Sequence, residues 1–234
     1  MLSTKNILFI SHHSEVELGI MEEFFINEQY NIEIAKPFDS LKLPINFNNY
    51  SGVIILGGAM NVEDKEKYPW IKDELLWLKN LKNSNIPTIG ICLGAQLIVK
   101  AFGGNVGYHH KNYVEIGYRD ISQLKKNSVF GKFPEKVYHW HSQGVRLPNI
   151  AKHLASNSTF HVQAFSIKDN IFGFQFHPEV NKKMILNWNL KSSHMLCEPG
   201  ATTIDIQLKD HEKYSNSVKS WFENLLKNWL NLNY

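Results

Sequence analysis

The sequence predicts an α/β fold built on a mixed, mostly parallel central sheet, and three observations point to it. Short apolar runs alternate with helix-periodic segments through the first half of the chain. One run, Pro87–Ile91, breaks at Cys92 between Gly90 and Gly94 and passes directly into a helical stretch, the layout of a nucleophile elbow. The second half carries several short strands with turns between them, which suits an antiparallel extension of the sheet.

In order along the chain, Asn6–Ile10 reads as a strand, Val16–Asn27 as a helix and Ile32–Ala35 as a second strand. Proline-bearing Pro37–Tyr50 reads as loop, and Val53–Leu56 as a strand that ends at Gly57-Gly58. Pro69 opens a helix in which Ile71, Leu75 and Leu78 share one face, with Trp77 and Leu81 beside it, and core packing accounts for them. After the elbow helix, Gly103-Gly104 is a C-terminal capping signal. Strands follow at Lys136–Trp140, Val162–Ile167 and Ile171–Phe176. Ser193–His211 is a mixed-polarity connection with a Pro199-Gly200 turn. Val218, Trp221, Phe222, Leu225, Trp229 and Leu230 then recur at helical spacing, as a packed helix or, failing that, as a contact between copies. All of this fits one domain over residues 1–234 with a helical extension from about 193 to 234.

Composition narrows the function classes. With 234 residues, 43% hydrophobic and 20% charged, the chain has ordinary globular proportions and enough length for one sizeable core. A net charge of +3, with lysine clusters no longer than isolated pairs such as Lys125-Lys126 and Lys182-Lys183, gives no track for nucleic acid. The N-terminal apolar run is too short for a signal segment and there is no 18-residue apolar span, so neither membrane nor export is expected and the cytoplasm is. Cys92 and Cys197 form no disulfide framework, which agrees with a reducing compartment.

Cys92 carries the chemistry. A thiol at a strand-to-helix turn is pushed outward, and the free N–H groups at the start of the helix favour its thiolate. Gly90 and Gly94 remove the Cβ atoms that would crowd the turn, giving G-x-C-x-G. Alone, Cys92 reads equally as an ordinary buried cysteine. A cysteine nucleophile needs a base and a group that orients the base. Among 11 histidines, His177 stands out at the end of an apolar strand, followed by Pro178 and Glu179. The proline restrains the backbone so that the carboxylate can hold one imidazole nitrogen while the other faces the thiol. Without Cys92, a surface-exposed strand cap would be the simpler account of His177.

His139 and His141 alternate on a strand and could share a metal ion, but the following Gly144-Val145-Arg146 offers no third ligand, so neither metal nor cofactor is expected. His12-His13 and His109-His110 read as loop histidines. No G-x-x-x-x-G-K-[ST] loop is present, and Gly103–Gly107 has the wrong spacing for a dinucleotide fingerprint.

The elbow around Cys92, the His177-Pro178-Glu179 segment and the Val53–Gly58 strand together resemble the class I glutamine amidotransferases, the Cys-His-Glu group that includes the amidase domain of GMP synthetase. The resemblance runs in one order from about Ile7 to Val180 and looks most like stand-alone members related to that domain. It implies a flavodoxin-like three-layer sandwich and a γ-glutamyl thioester on Cys92, with ammonia released from the glutamine side chain. His177 would shuttle the proton, Glu179 would orient His177, and the N–H groups of Gly58 and Leu93 would hold the oxyanion, beside Gly57. Gln96 matches a position that touches the substrate; otherwise it is an exposed helix residue. Near His141, relatives commonly carry an aspartate where this chain reads Ser142-Gln143, which leaves substrate choice open. Three functions remain: a γ-glutamyl peptide or amine hydrolase that needs only water, a silent regulatory or binding protein, and, foremost, a glutamine amidase serving a separate ammonia-accepting synthetase subunit.

Overall fold

The computed structural model describes residues 5–39, 43–81, 84–126 and 128–231. Residues 40–42 of the expected 37–50 loop and 232–234 of the C-terminal extension lie outside these. Among the described residues, twelve strands and five α-helices follow in chain order. The first half holds β1 (Asn6–Ile10), α1 (Ile20–Asn27), β2 (Asn31–Ala35), β3 (Gly52–Ile55), α2 (Trp70–Leu81), β4 (Thr88–Ile91) and α3 (Leu93–Ala101). Next come β5 (Asn105–Tyr108), β6 (Glu115–Asp120), β7 (Ser122–Gln123), β8 (Lys136–His141), β9 (Gln143–Arg146), β10 (Ala151–Ser156), β11 (Ala164–Ile167) and β12 (Ile171–Phe174). Helix α4 (Lys182–Lys191), a 3₁₀ turn at Ser193–Cys197 and α5 (Ile204–Leu230) complete the chain.

Eight strands form the central sheet in the order β2-β1-β3-β4-β12-β11-β10-β7. The members from β2 to β12 run parallel, and β11, β10 and β7 continue antiparallel. Because side chains alternate along a strand, Ile7 and Phe9 fall in one apolar cluster with α1, α4 and α5, while Leu8 and Ile10 fall in the other with α2 and α3. That division makes the flavodoxin-like three-layer sandwich. Two small antiparallel pairs, β5 with β9 and β6 with β8, stand outside the main sheet. Helix α3 ends as its glycines predict: Gly103 has φ 93°, and the N–H groups of Gly103 and Gly104 return to the carbonyls of Lys100 and Val99. No helix among the described residues is long and apolar enough to cross a membrane.

The structure corrects three boundaries. The first helix starts at Ile20, not Val16, because Gly19 takes φ 59° and turns the chain there, with Ile20 N–H donating to the Glu179 carbonyl. The strand leading to His177 stops at Phe174, so the histidine sits three residues beyond the ladder. The last helix begins at Ile204, inside the expected connection, and runs for 27 residues. Its first turns hide from an apolar-periodicity reading because their buried residue is polar: Gln207 accepts from Tyr138 Oη at 2.7 Å and from Asn189 Nδ2 at 2.8 Å. The aromatic stripe of α5, Val218 to Trp229, is buried against the sheet, so it is not available as a contact between copies.

Candidate active site

A cavity of about 480 Å³ opens beyond the C-terminal ends of the parallel strands, where α/β sheets commonly place ligands, and Cys92, His177, Glu179, Gly57, Gly58 and Gln96 all line it. Cys92 follows β4 and caps α3 with φ 49° and ψ −106°, a left-handed backbone that a side chain rarely adopts. The turn is tight enough to demand its glycines. A Cβ on Gly94 would stand 2.2 Å from the Ile55 carbonyl oxygen, and one on Gly90 would stand 2.8 Å from the Ala95 nitrogen. Cys92 has the low exposure of an ordinary buried cysteine, yet it faces the cavity.

His177 is fixed by its neighbours. Its backbone N–H donates to the Tyr138 carbonyl at 2.8 Å, its Nδ1 lies 2.8 Å from Glu179 Oε1, and Trp188 packs edge-on at 4.7 Å between ring centres. Burial opposes its charging, but the Glu179 carboxylate and the Cys92 sulfur outweigh burial and hold its pKa above the ordinary 6.5. Gly57 is packed against both groups: a Cβ there would lie 2.9 Å from His177 Cε1 and 3.6 Å from Cys92 Cβ. Among the described residues, neither the Gly58 N–H nor the Leu93 N–H meets a hydrogen-bond acceptor.

Gln96 is buried rather than exposed, and its amide donates to the Gln143 carbonyl at 3.2 Å and to Gln175 Oε1 at 3.3 Å. Gln175, missed in the sequence, turns its own amide toward Cys92 Sγ at 3.8 Å. Its signal was available as the one polar side chain in the run Phe172–Phe176. Trp140 contributes through its carbonyl, 3.8 Å from the sulfur, which no side-chain pattern could show. Ser142 and Gln143 line the cavity as well.

The other histidines separate clearly. His109 and His110 stay in a loop, whereas His12 is fully buried with Glu74. The third partner that His139 and His141 lacked comes from across the β6–β8 ladder: Glu115 Oε2 lies 3.4 Å from His139 Nδ1 and 3.1 Å from His141 Nε2. Burial, despite Glu115, lowers the His139 pKa to about 3, so this ring is neutral. Its buried Nε2 has no partner. A metal on Nδ1 would force an unpaired N–H onto Nε2, while a proton on Nδ1 leaves only an unfilled lone pair there, so the cluster suits hydrogen bonding better than a metal.

Three kinds of comparison bear on this geometry. A family model described as "Glutamine amidotransferase class-I" matches residues 17–185. The chain is 37% identical over 138 residues to a subunit of the glutamine-hydrolyzing GMP synthase from Pyrococcus abyssi, covering 56% of this chain and 68% of that one. It is 32% identical over 180 residues to the glutamine-hydrolyzing GMP synthase of Thermotoga maritima, covering 75% of this chain and 32% of that one, and so spans about a third of that relative. A crystal structure of a glutamine amidotransferase from Thermotoga maritima superposes with a TM-score of 0.87 at 28% identity, covering 97% of this chain and 98% of that one.

Proposed function

The chain belongs to the class I glutamine amidotransferases, and from that premise we propose that it hydrolyses the side-chain amide of glutamine through a γ-glutamyl thioester on Cys92. The observation that carries the proposal is the meeting, in one cavity, of the Cys92 thiol, the His177–Glu179 pair at 2.8 Å and Gly58, whose backbone N–H has no acceptor among the described residues.

In this reading the thiolate sulfur adds to the amide carbon, and the carbonyl electron pair moves onto oxygen beside the N–H groups of Gly58 and Leu93. Donors of that kind are worth about 2.7–4 kcal/mol each in the transition state. Collapse breaks the C–N bond, and the nitrogen takes a proton from the His177 imidazolium and leaves as ammonia. The raised pKa of His177 suits it to that first proton transfer. Neutral His177 then removes a proton from water, whose oxygen attacks the thioester, and glutamate leaves as the thiolate returns. Gln96 and Gln175 hold the wall against which the substrate lies. Residues 1–234 act as one amidotransferase domain in a reducing cytoplasm, and ammonia passes to a separate synthetase subunit, in keeping with the several relatives that are themselves named as one subunit of GMP synthase.

A second reading, a γ-glutamyl peptide or amine hydrolase, is favoured by the uncharged Ser142-Gln143 pair in the cavity wall. Turnover of glutamine and of a panel of γ-glutamyl amides and peptides, with mass measurement of the protein during turnover, tests both. A glutamine preference with an acyl adduct on Cys92, absent in Cys92→Ala, supports the first. Preference for conjugates selects the second, and absence of turnover and adduct with every substrate defeats both.

A further inference from the structure

His12 is a buried ionisable side chain beside the cavity that the proposed reaction leaves unused. It lies just beyond β1, fully buried, with its ring stacked on Trp70 at 5.6 Å and 16°. Both ring nitrogens face acceptors: Nδ1 is 3.2 Å from the Gly57 carbonyl oxygen, and Nε2 is 3.1 and 3.2 Å from the two carboxylate oxygens of Glu74. A carbonyl only accepts, so Nδ1 carries a hydrogen.

The Gly57 carbonyl and the Gly58 N–H belong to one peptide plane. No cis bond occurs among the described residues, so in that plane the C=O and N–H point in opposite directions. Holding the carbonyl toward His12 therefore aims the N–H away from His12. Gly58 has no side chain to resist a peptide rotation, and a Cβ there would crowd Leu93 Cδ2 at 2.6 Å and His12 Cβ at 3.0 Å.

We propose that His12, held by Glu74, is a positioning residue that fixes the Gly57–Gly58 peptide so that the Gly58 N–H faces the oxyanion formed at Cys92. The inference rests on the proposed reaction at the same site. Burial opposes the charging of His12, but Glu74 and the backbone carbonyls around it raise its pKa, in keeping with two donated hydrogens. A charged donor on the carbonyl also polarises the peptide and strengthens its N–H.

The test uses three substitutions at position 12, each made in a Glu74→Gln background so that no buried carboxylate is left unpaired. In His12→Asn the amide nitrogen can take the place of Nδ1 and reach Gly57; in His12→Gln it takes the place of Nε2 and reaches position 74; His12→Ala reaches neither. Three rates are read: glutamine hydrolysis, acylation of Cys92 by p-nitrophenyl acetate, and alkylation of Cys92 by iodoacetamide, which forms no oxyanion. His12→Ala and His12→Gln should lower kcat and ester acylation about 10- to 100-fold with KM and alkylation unchanged, and His12→Asn should recover about tenfold of that loss. Equal rates for Asn and Gln, or alkylation falling in step with acylation, would overturn the proposal. If the parent protein is acylated by the ester but ignores glutamine, the substrate reading fails, and the ester rates alone decide the role of His12. If neither substrate acylates Cys92, both readings fall.

Discussion

Cys92 occupies a backbone region that non-glycine residues avoid, and that conformation costs the fold on the order of 1–3 kcal/mol. Such strain persists only where the surroundings over-determine it, here through Gly94 against Ile55 and the Cys92 N–H on the Phe174 carbonyl at 2.8 Å. Cys92→Ala should therefore keep its melting temperature while turnover falls by about 10⁴-fold or more, the loss expected when a nucleophile is removed. A melt alongside the residual rate checks both; retained turnover would transfer the chemistry elsewhere. His177 gives a second expectation through its raised pKa. Its imidazolium, the acid in the proposed release of ammonia, persists through neutral pH and is lost as pH rises through the folded value. The stability it contributes has the same sign, being complete below the unfolded value of about 6.5 and lost on the alkaline side. Glu179→Gln removes the strongest influence raising that pKa, so the alkaline limb of the rate profile should move toward neutrality while kcat falls about 10²- to 10⁴-fold. Profiles of both proteins from pH 6 to 10 read this directly, and an unmoved limb would remove Glu179 from its role.

At the scale of elements, two joints tie the site to the fold. Gly19 starts α1 with φ 59°, and a Cβ there would stand 1.9 Å from the Glu179 carbonyl oxygen, so the N-terminus of α1 and the backbone of Glu179 are pressed together. Gly19→Ala should lose about 2 kcal/mol or more of stability and also lower kcat, since the displaced atom belongs to Glu179. Urea unfolding with a parallel rate measurement separates this from a surface change, which would leave both alone. The second joint is Glu115, whose pKa falls to about 2: burial opposes the shift, but His139, which becomes charged only in that acid range, together with His141 and the Asn157 hydrogen bond outweighs it. A depressed carboxylate stabilises above its unfolded pKa of about 4.5 and loses that contribution as pH falls toward the folded value. Glu115→Gln should thus be less stable than the parent at pH 7, with the gap narrowing between pH 4.5 and 2, readable from urea midpoints. Neither joint was legible in advance. Gly19 lies inside an apolar-periodic stretch that reads as helix, and Glu115 meets His141 only through β-pairing of residues 26 apart in sequence, which no local pattern encodes.

Across the whole molecule, what could be read from the sequence was what local chemistry writes. The elbow glycines, the apolar strands of the parallel half and the aromatic stripe of α5 each follow from sterics or periodicity over a few residues, and all three appear in the structure. Buried polar contacts, by contrast, arise only when distant segments meet, so Gln207 disguised the start of α5 and the pairing of His12 with Glu74 was hidden. The fate of the α5 stripe shows how the two levels combine. Trp229 is fully buried at the far end of that helix, and its ring takes the space a side chain on Gly52 would occupy, with Cη2 2.3 Å from where that Cβ would be. Gly52 begins β3 and Gly57 follows its other end, so Trp229 braces the sheet at the end away from the cavity. Trp229→Ala should cost about 3–5 kcal/mol, and thus about 6–20 °C in Tm for a domain of this size, with kcat of the folded fraction nearly unchanged. Trp229→Phe should cost less, because the indole Nε1 is a buried donor with no partner and its removal relieves that penalty. Melting curves of both variants read this directly, and an unchanged Tm in Trp229→Ala would remove Trp229 from that bracing role.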